Sequence, residues 1–130
     1  MAERRSVATI IGGGAASVVA FDVLGSLICK ATGISYDVLW PGSLLIYGTV
    51  AALVGWRRDW HTGLFAGFAM GGVDLTLGWW VTWMIGPGRP PGGFSWSALM
   101  LGASSALTVG GVAGSIGSWV GIRISRNLAA

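Results

Sequence analysis

The sequence predicts an all-α integral membrane protein: four transmembrane helices in one domain, packed as a bundle through glycine and other small residues, with both termini cytoplasmic. Three observations carry that prediction. Only 10% of the 130 residues are charged and 53% are hydrophobic, with a mean hydropathy of +0.70, whereas a soluble domain carries about 25% charged residues. The apolar residues fall into four runs of the length a ~30 Å hydrocarbon core needs at ~1.5 Å per residue. The basic residues collect at the ends of those runs.

The first span is expected over residues 6–29. Ser6 is a helix N-cap candidate after Glu3-Arg4-Arg5. A charged start before an apolar run also opens a signal peptide, but a run of about 23 residues suits a span better than a signal core. Gly12-Gly13-Gly14 would allow close helix–helix approach in lipid. Asp22 shares a face with Ala15, Gly25 or Ser26, and Cys29. Thr32-Gly33 reads as a stop, and Ser35 or Asp37 as the next cap.

The second span is expected over residues 37–56. Pro41 belongs in its first turn, where its missing amide proton is not needed. Trp40 and Trp56 stand at its ends as interfacial anchors. Arg57 to His61 forms a polar turn into the third span, residues 62–85. Here Gly63, Gly67, Gly71, Asp74 and Gly78 follow one another at spacings of four, four, three and four. On a helix they share one face, with Phe65, Phe68 and Trp79 pointing mostly elsewhere. Residues 85–93, with three prolines and four glycines, form a loop. The fourth span, residues 95–121, carries a row of small residues: Gly102, Ala106, Gly110, Gly114, Gly117 and Gly121. The two halves are faintly alike, each with an acid followed by a glycine three or four positions on: Asp22 with Gly25, Asp74 with Gly78.

Charge sets the topology. Arg4, Arg5, Arg57, Arg58, Arg123 and Arg126 fall on one side of a four-span chain, and Lys30 and Arg89 on the other. Six against two places the termini in the cytoplasm of a cell-inner-membrane-type bilayer. The net charge of +3 therefore reads as topology and not as a nucleic-acid surface. The single cysteine, Cys29, reads as a small buried apolar residue.

Chemistry is sparse. One His and one Cys, at opposite ends of spans, make no metal set. His61 reads as an interfacial polar residue. No Ser–His–acid grouping or phosphate loop is present, and neither an enzyme nor a cofactor is expected. Ser104, Ser105, Thr108, Ser115 and Ser118 read as donors to neighbouring helices. Most of the eight tryptophans read as an interfacial belt, with Trp79, Trp80 and Trp83 as candidates to line a lipid or pigment site. Asp22 and Asp74 are the sharpest signal, because intramembrane acids are rare and mark ion, proton or substrate paths. Thr76, Thr82 or a backbone carbonyl could receive a protonated acid, or the pair could hold one exchangeable proton.

The first half resembles the GtrA-like family of polyprenyl-phosphate-sugar flippases, in Gly12-Gly13, Asp22, Gly33 and the arginine pair Arg57-Arg58. Val54-Gly55 stands where that family has Asn-Phe. The resemblance implies lipid-linked sugar translocation as one alternative. From the residues themselves, two readings follow. In the first, the chain is a small oligomeric transport or translocation protein with Asp74 and Asp22 as its polar site. In the second, it is a non-catalytic subunit of a larger membrane complex. Either way the small-residue rows, Gly63, Gly67, Gly71 and Gly78 with Gly110, Gly114 and Gly117, are packing surfaces, and the lipid bilayer is the constant partner.

Overall fold

The ends of the helices follow from a few local signals in the chain. In the computed structural model, which describes residues 2–87, 92 and 95–128, helix α1 runs Ala2–Thr32. Ser6 is not its cap. It lies inside the helix, and its hydroxyl accepts from Arg57 Nη1 at 3.0 Å. The helix stops where Gly33 takes φ +73, its N–H bonding back to Cys29 O at 2.8 Å.

A single 3₁₀ turn, Tyr36–Leu39, follows, capped by Ser35, whose Oγ accepts from the Asp37 N–H at 3.4 Å. Helix α2 is Trp40–Arg57 with Pro41 in its first turn, as expected. Asp59 then caps α3, Trp60–Val73: its carboxylate accepts from the Thr62 N–H at 2.9 Å and the Thr62 hydroxyl at 2.8 Å. These bonds favour the charged form and hold the Asp59 carboxyl below its usual range. A π-helical turn, Asp74–Gly78, and α4, Trp79–Ile85, continue the same span. The expected loop begins at Gly86, with φ +122; Arg89 and most of that loop lie outside the described residues. Helix α5, Trp96–Leu128, runs past the expected end at Gly121 and carries Arg123 and Arg126 on the same helix.

Among the described residues, four helical segments are long and apolar enough to cross a membrane: Ser6–Thr32, Tyr36–Arg57, Trp60–Ile85 and Trp96–Leu128. Many of their outward side chains are large and apolar. Leu45, Phe65 and Leu101 are 68%, 70% and 72% exposed, a surface that suits hydrocarbon and not water.

Helix α2 and the third span lie centrally. Helix α1 packs on α2, α3 and α4, while α5 packs on α2 and α3, and α1 and α5 do not meet among the described residues. A small core of Val18, Tyr47, Val50, Val54, Ala66, Met70 and Ala113 joins these helices. Around it, backbones approach closely. A Cβ added at Gly67 would collide with Gly114 Cα. One at Gly71 would meet Ala106 O at 2.6 Å, one at Gly110 would meet Gly67 O at 2.8 Å, and one at Gly63 would meet Ala51 O at 2.8 Å. Gly117 and Gly121 press likewise on the carbonyls of Gly48 and Ala52 in α2. Gly102 departs from the expected row: a Cβ there meets nothing within 4 Å.

The contacts also sort the ends. Ser6 meets Arg57, and a Cβ at Gly121 would lie 2.9 Å from Trp56 N, so the start of α1, the Arg57-Arg58 turn and the last turns of α5 share one end. At the other end Lys30 Nζ donates to Ile85 O at 3.1 Å.

Candidate functional site: two carboxyls held by two tyrosines

Asp22 sits mid-α1 with 0% exposure. The reversal at Gly33 brings the 3₁₀ turn back along α1, so that Tyr36 donates its hydroxyl to Asp22 Oδ1. Asp74 opens the π turn, partly buried, and its Oδ2 accepts from the Tyr47 hydroxyl of α2. The remaining two oxygens converge over Gly78. A Cβ placed on Gly78 would collide with Asp22 Oδ2 and would lie 2.5 Å from Asp74 Oδ1. At most a methyl-sized space separates the two carboxyl groups, and any side chain at Gly78 would force them apart.

The π turn positions this meeting. The Trp79 N–H reaches back five residues to Asp74 O. The Thr76 hydroxyl bonds to Gly72 O at 2.8 Å and Val73 O at 3.3 Å, engaging the carbonyls that lead into the turn. A turn closed over five residues instead of four shifts the register of everything after it. Trp79, expected to point away, therefore stands at the site's wall. It stacks on Trp83, ring centroids 5.9 Å apart and planes 10° off parallel.

Beside the acids is a cavity of about 440 Å³ whose walls include Tyr36, Trp40, Tyr47, Asp74, Gly78 and Trp79. Asp37 and Trp40, both exposed, stand at its mouth near the Lys30 end. None of the described residues lining it is basic. Helix α5 contributes Gly102, Ser105, Ala106 and Val109, small side chains that leave the space open.

Two expectations are corrected here. Thr76 and Thr82 do not serve the acids; Thr82 bonds to Trp79 O at 3.0 Å within its own helix. Nor do Ser104, Ser105, Thr108 and Ser115 bridge helices. Each hydroxyl donates to a carbonyl three or four residues back, at 2.7–2.9 Å, the local bond always within reach of a helical serine or threonine. Among the described residues, three buried oxygens have no hydrogen-bond partner: Ser118 Oγ, at the Gly55 and Gly63 contact, Asp22 Oδ2 and Ser26 Oγ.

Of the residues singled out from the sequence, Asp22, Asp74 and Gly78 come together. Gly63, Gly67, Gly110, Gly114 and Gly117 lie apart from them, in helix contacts toward the arginine end, while Gly71 meets Ala106, a residue of the cavity wall described above. Tyr36 and Tyr47 are the functional candidates that sequence reasoning missed, although they are the chain's only two tyrosines. His61 is exposed, edge-on to Trp60 at 5.1 Å, and Cys29 is buried with a free thiol. Among the described residues no three His, Cys, Asp or Glu gather as a metal-binding group.

Fold and site together define a class: a small all-helical protein with four helices able to cross a membrane and a tyrosine-held carboxyl pair beside an aromatic cavity. No family model matches the chain, and neither a curated protein nor a solved structure is similar to it.

Proposed function

We propose that this chain is a small membrane transport protein whose polar site is the Asp22–Asp74 pair. The supporting observation is the convergence of two acids from different helices over Gly78, one sealed in the core and one facing a cavity. Two ionised carboxylates in apolar surroundings repel each other and lack solvation. One proton between them would relieve the repulsion and give Asp22 Oδ2 the donor it lacks. A cation entering the cavity would meet Asp74 first, and its charge would replace that proton. Exchange of proton for cation at one site is the elementary step of coupled transport.

The orientation belongs to the same reading. The arginine-bearing end faces the cytoplasm, with both termini inside, and the cavity mouth faces out. The glycine rows of α3 and α5 hold the bundle, which makes them weaker support for docking into a larger complex. Gly12 and Gly13 of α1, with nothing within 4 Å of a Cβ, are free to meet a second copy.

The test is proton flux in proteoliposomes holding the full chain and a trapped pH dye. Asp74→Asn should abolish substrate-driven flux while leaving the helical signal and the detergent elution volume intact. Unchanged flux in that variant would overturn the assignment of Asp74.

A further inference from the structure

The composition of the cavity narrows what the site accepts. Its walls pair two carboxyl groups, Asp74 deep and Asp37 near the mouth, with the indoles of Trp40 and Trp79 and the phenols of Tyr36 and Tyr47. Aromatic faces carry negative quadrupole potential and attract cations, most strongly cations too bulky to hold a tight water shell. The site also lacks what a small metal ion demands. Asp22 Oδ1 and Asp74 Oδ2 are each engaged by a tyrosine hydroxyl, the Thr82 and Ser105 hydroxyls bond to carbonyls of their own helices, and Ser43 bonds to the Tyr47 hydroxyl. Among the described lining residues that leaves chiefly Asp74 Oδ1 and Asp37 Oδ1, fewer than the about 6–8 oxygens a Ca²⁺ site takes or the near-octahedral set Mg²⁺ demands.

Size agrees. A volume of about 440 Å³ lies within the range of small-molecule pockets, ~300–1,000 Å³, and far exceeds a bare ion. Gly102 and Ala106 keep the α5 wall low, and the Trp79–Trp83 stack holds one indole rigidly in place. An anion is disfavoured, since Asp74 and Asp37 line the cavity and none of the described lining residues is basic.

We infer that the cavity between α2, the π turn, α4 and α5 binds a lipophilic organic cation, of the quaternary or tertiary ammonium class, with Asp74 as counter-charge and Trp40 and Trp79 as its aromatic walls. This rests on the transport reading for its purpose, but binding can be measured without transport.

The experiment uses the purified full chain in nanodiscs, with benzyltrimethylammonium as probe and its uncharged carbon isostere, neopentylbenzene, as control, read by tryptophan fluorescence and by equilibrium dialysis. Saturable binding of the ammonium compound is expected, with the isostere at least ~10-fold weaker, a difference on the scale of a desolvated cation–π contact plus a counter-charge. Trp40→Leu, at an exposed position that should not disturb folding, should weaken binding several-fold, and Asp74→Asn by ~10-fold or more. Equal binding of the two probes, or none of either, would overturn the inference. If the ammonium compound fails to bind but Asp74-dependent proton flux persists, the cation class is wrong and the transport reading stands. If it binds with the expected discrimination but drives no flux, the site is right and the transport reading fails.

Discussion

The two ends of the bundle are built from the same residue type to opposite effect. Toward the arginine end, Gly63, Gly67, Gly110, Gly114 and Gly117 stand where neighbouring backbones leave no room for a Cβ, so α2, α3 and α5 touch main chain to main chain. Toward the Lys30 end, Gly102 of the same α5 faces open space and Gly78 makes room for two carboxyl groups. In lipid, helices gain nothing by hiding apolar surface from each other, and close packing is the available source of cohesion. One half therefore supplies the cohesion. That allows the other half to keep a cavity, a π turn and an acid pair with one member fully buried, each of which is unfavourable taken alone. A glycine in such a chain has no fixed meaning; what faces it decides whether it is a contact or a space.

The largest expected effect breaks the closed half. Gly114→Leu would set a branched side chain where even a Cβ meets Leu64 O at 2.9 Å and Gly67 Cα at 3.2 Å. Backbone cannot retreat as a flexible side chain can, so the loss should be about 3 kcal/mol or more, at the upper end of overpacking effects. The check is the unfolding midpoint in mixed micelles, with loss of monodisperse protein as the extreme outcome. A midpoint within experimental scatter of the parent would mean that α3 and α5 do not pack here.

Next comes the acid pair. Tyr36→Phe removes the donor to Asp22 Oδ1 on a residue with 0% exposure whose Oδ2 already has no donor. Leaving a buried acceptor unsatisfied costs about 1–3 kcal/mol. Tyr47→Phe should cost less, because Asp74 faces the cavity and water can enter to replace the lost hydroxyl. Equal losses in the two variants, measured by equilibrium unfolding, would erase the distinction between a sealed acid and an accessible one.

How much of this was legible beforehand follows the same divide. The four spans could be read because hydropathy depends only on the local run of residues. The stop at Gly33 and the place of Pro41 in a first turn could be read because these signals are local too, whereas Asp59 read only as part of a polar turn and its capping of α3 is seen in the structure. Both acids announced themselves by their depth in apolar sequence. Their meeting stayed one option among several, a shared proton beside bonds to Thr76, Thr82 or a carbonyl, because the relative height of α1 and the third span is set by packing between helices. The faint likeness of the two acid-plus-glycine segments even misleads. Asp22 to Gly25 is regular α-helix, while Asp74 to Gly78 is a π turn, and a strict 3.6-residue period across the third span put Trp79 on the wrong face. The tyrosines carry no such local mark, because each reaches its acid from a different element, Tyr36 from the 3₁₀ turn and Tyr47 from α2. Their scarcity, in a chain with eight tryptophans, was the usable signal.

A smaller effect tests the turn between the halves of the chain. Asp59 is fully exposed, and the two Thr62 bonds lower its pKa. A carboxyl whose folded pKa is depressed contributes stability above its unfolded value, near 3.9, and loses it as pH falls through the folded value. Asp59→Ala should therefore destabilise the protein modestly at pH 7, with the gap to the parent closing in strongly acid solution. A gap independent of pH would show that the cap acts through shape and not through its charge.

The smallest effect is expected in the open half, with opposite sign. Gly102 lies inside α5, has negative φ, and meets nothing within 4 Å of a built Cβ. Alanine there adds no clash and removes backbone freedom from the unfolded chain, which favours the helix by about 0.5–1 kcal/mol. Gly102→Ala should thus raise the unfolding midpoint slightly, where the same added methyl at Gly67 would lower it sharply against Gly114 Cα. The methyl also borders the cavity, so its second consequence is functional: a bulky ammonium probe should bind slightly more weakly while a smaller one is unaffected. A stability gain with that size-dependent loss would show that Gly102 is retained for the space beside Asp74. A stability loss would instead mean that α5 closes more tightly on the third span than this structure has it, and the contrast between the two ends would fail at its open side.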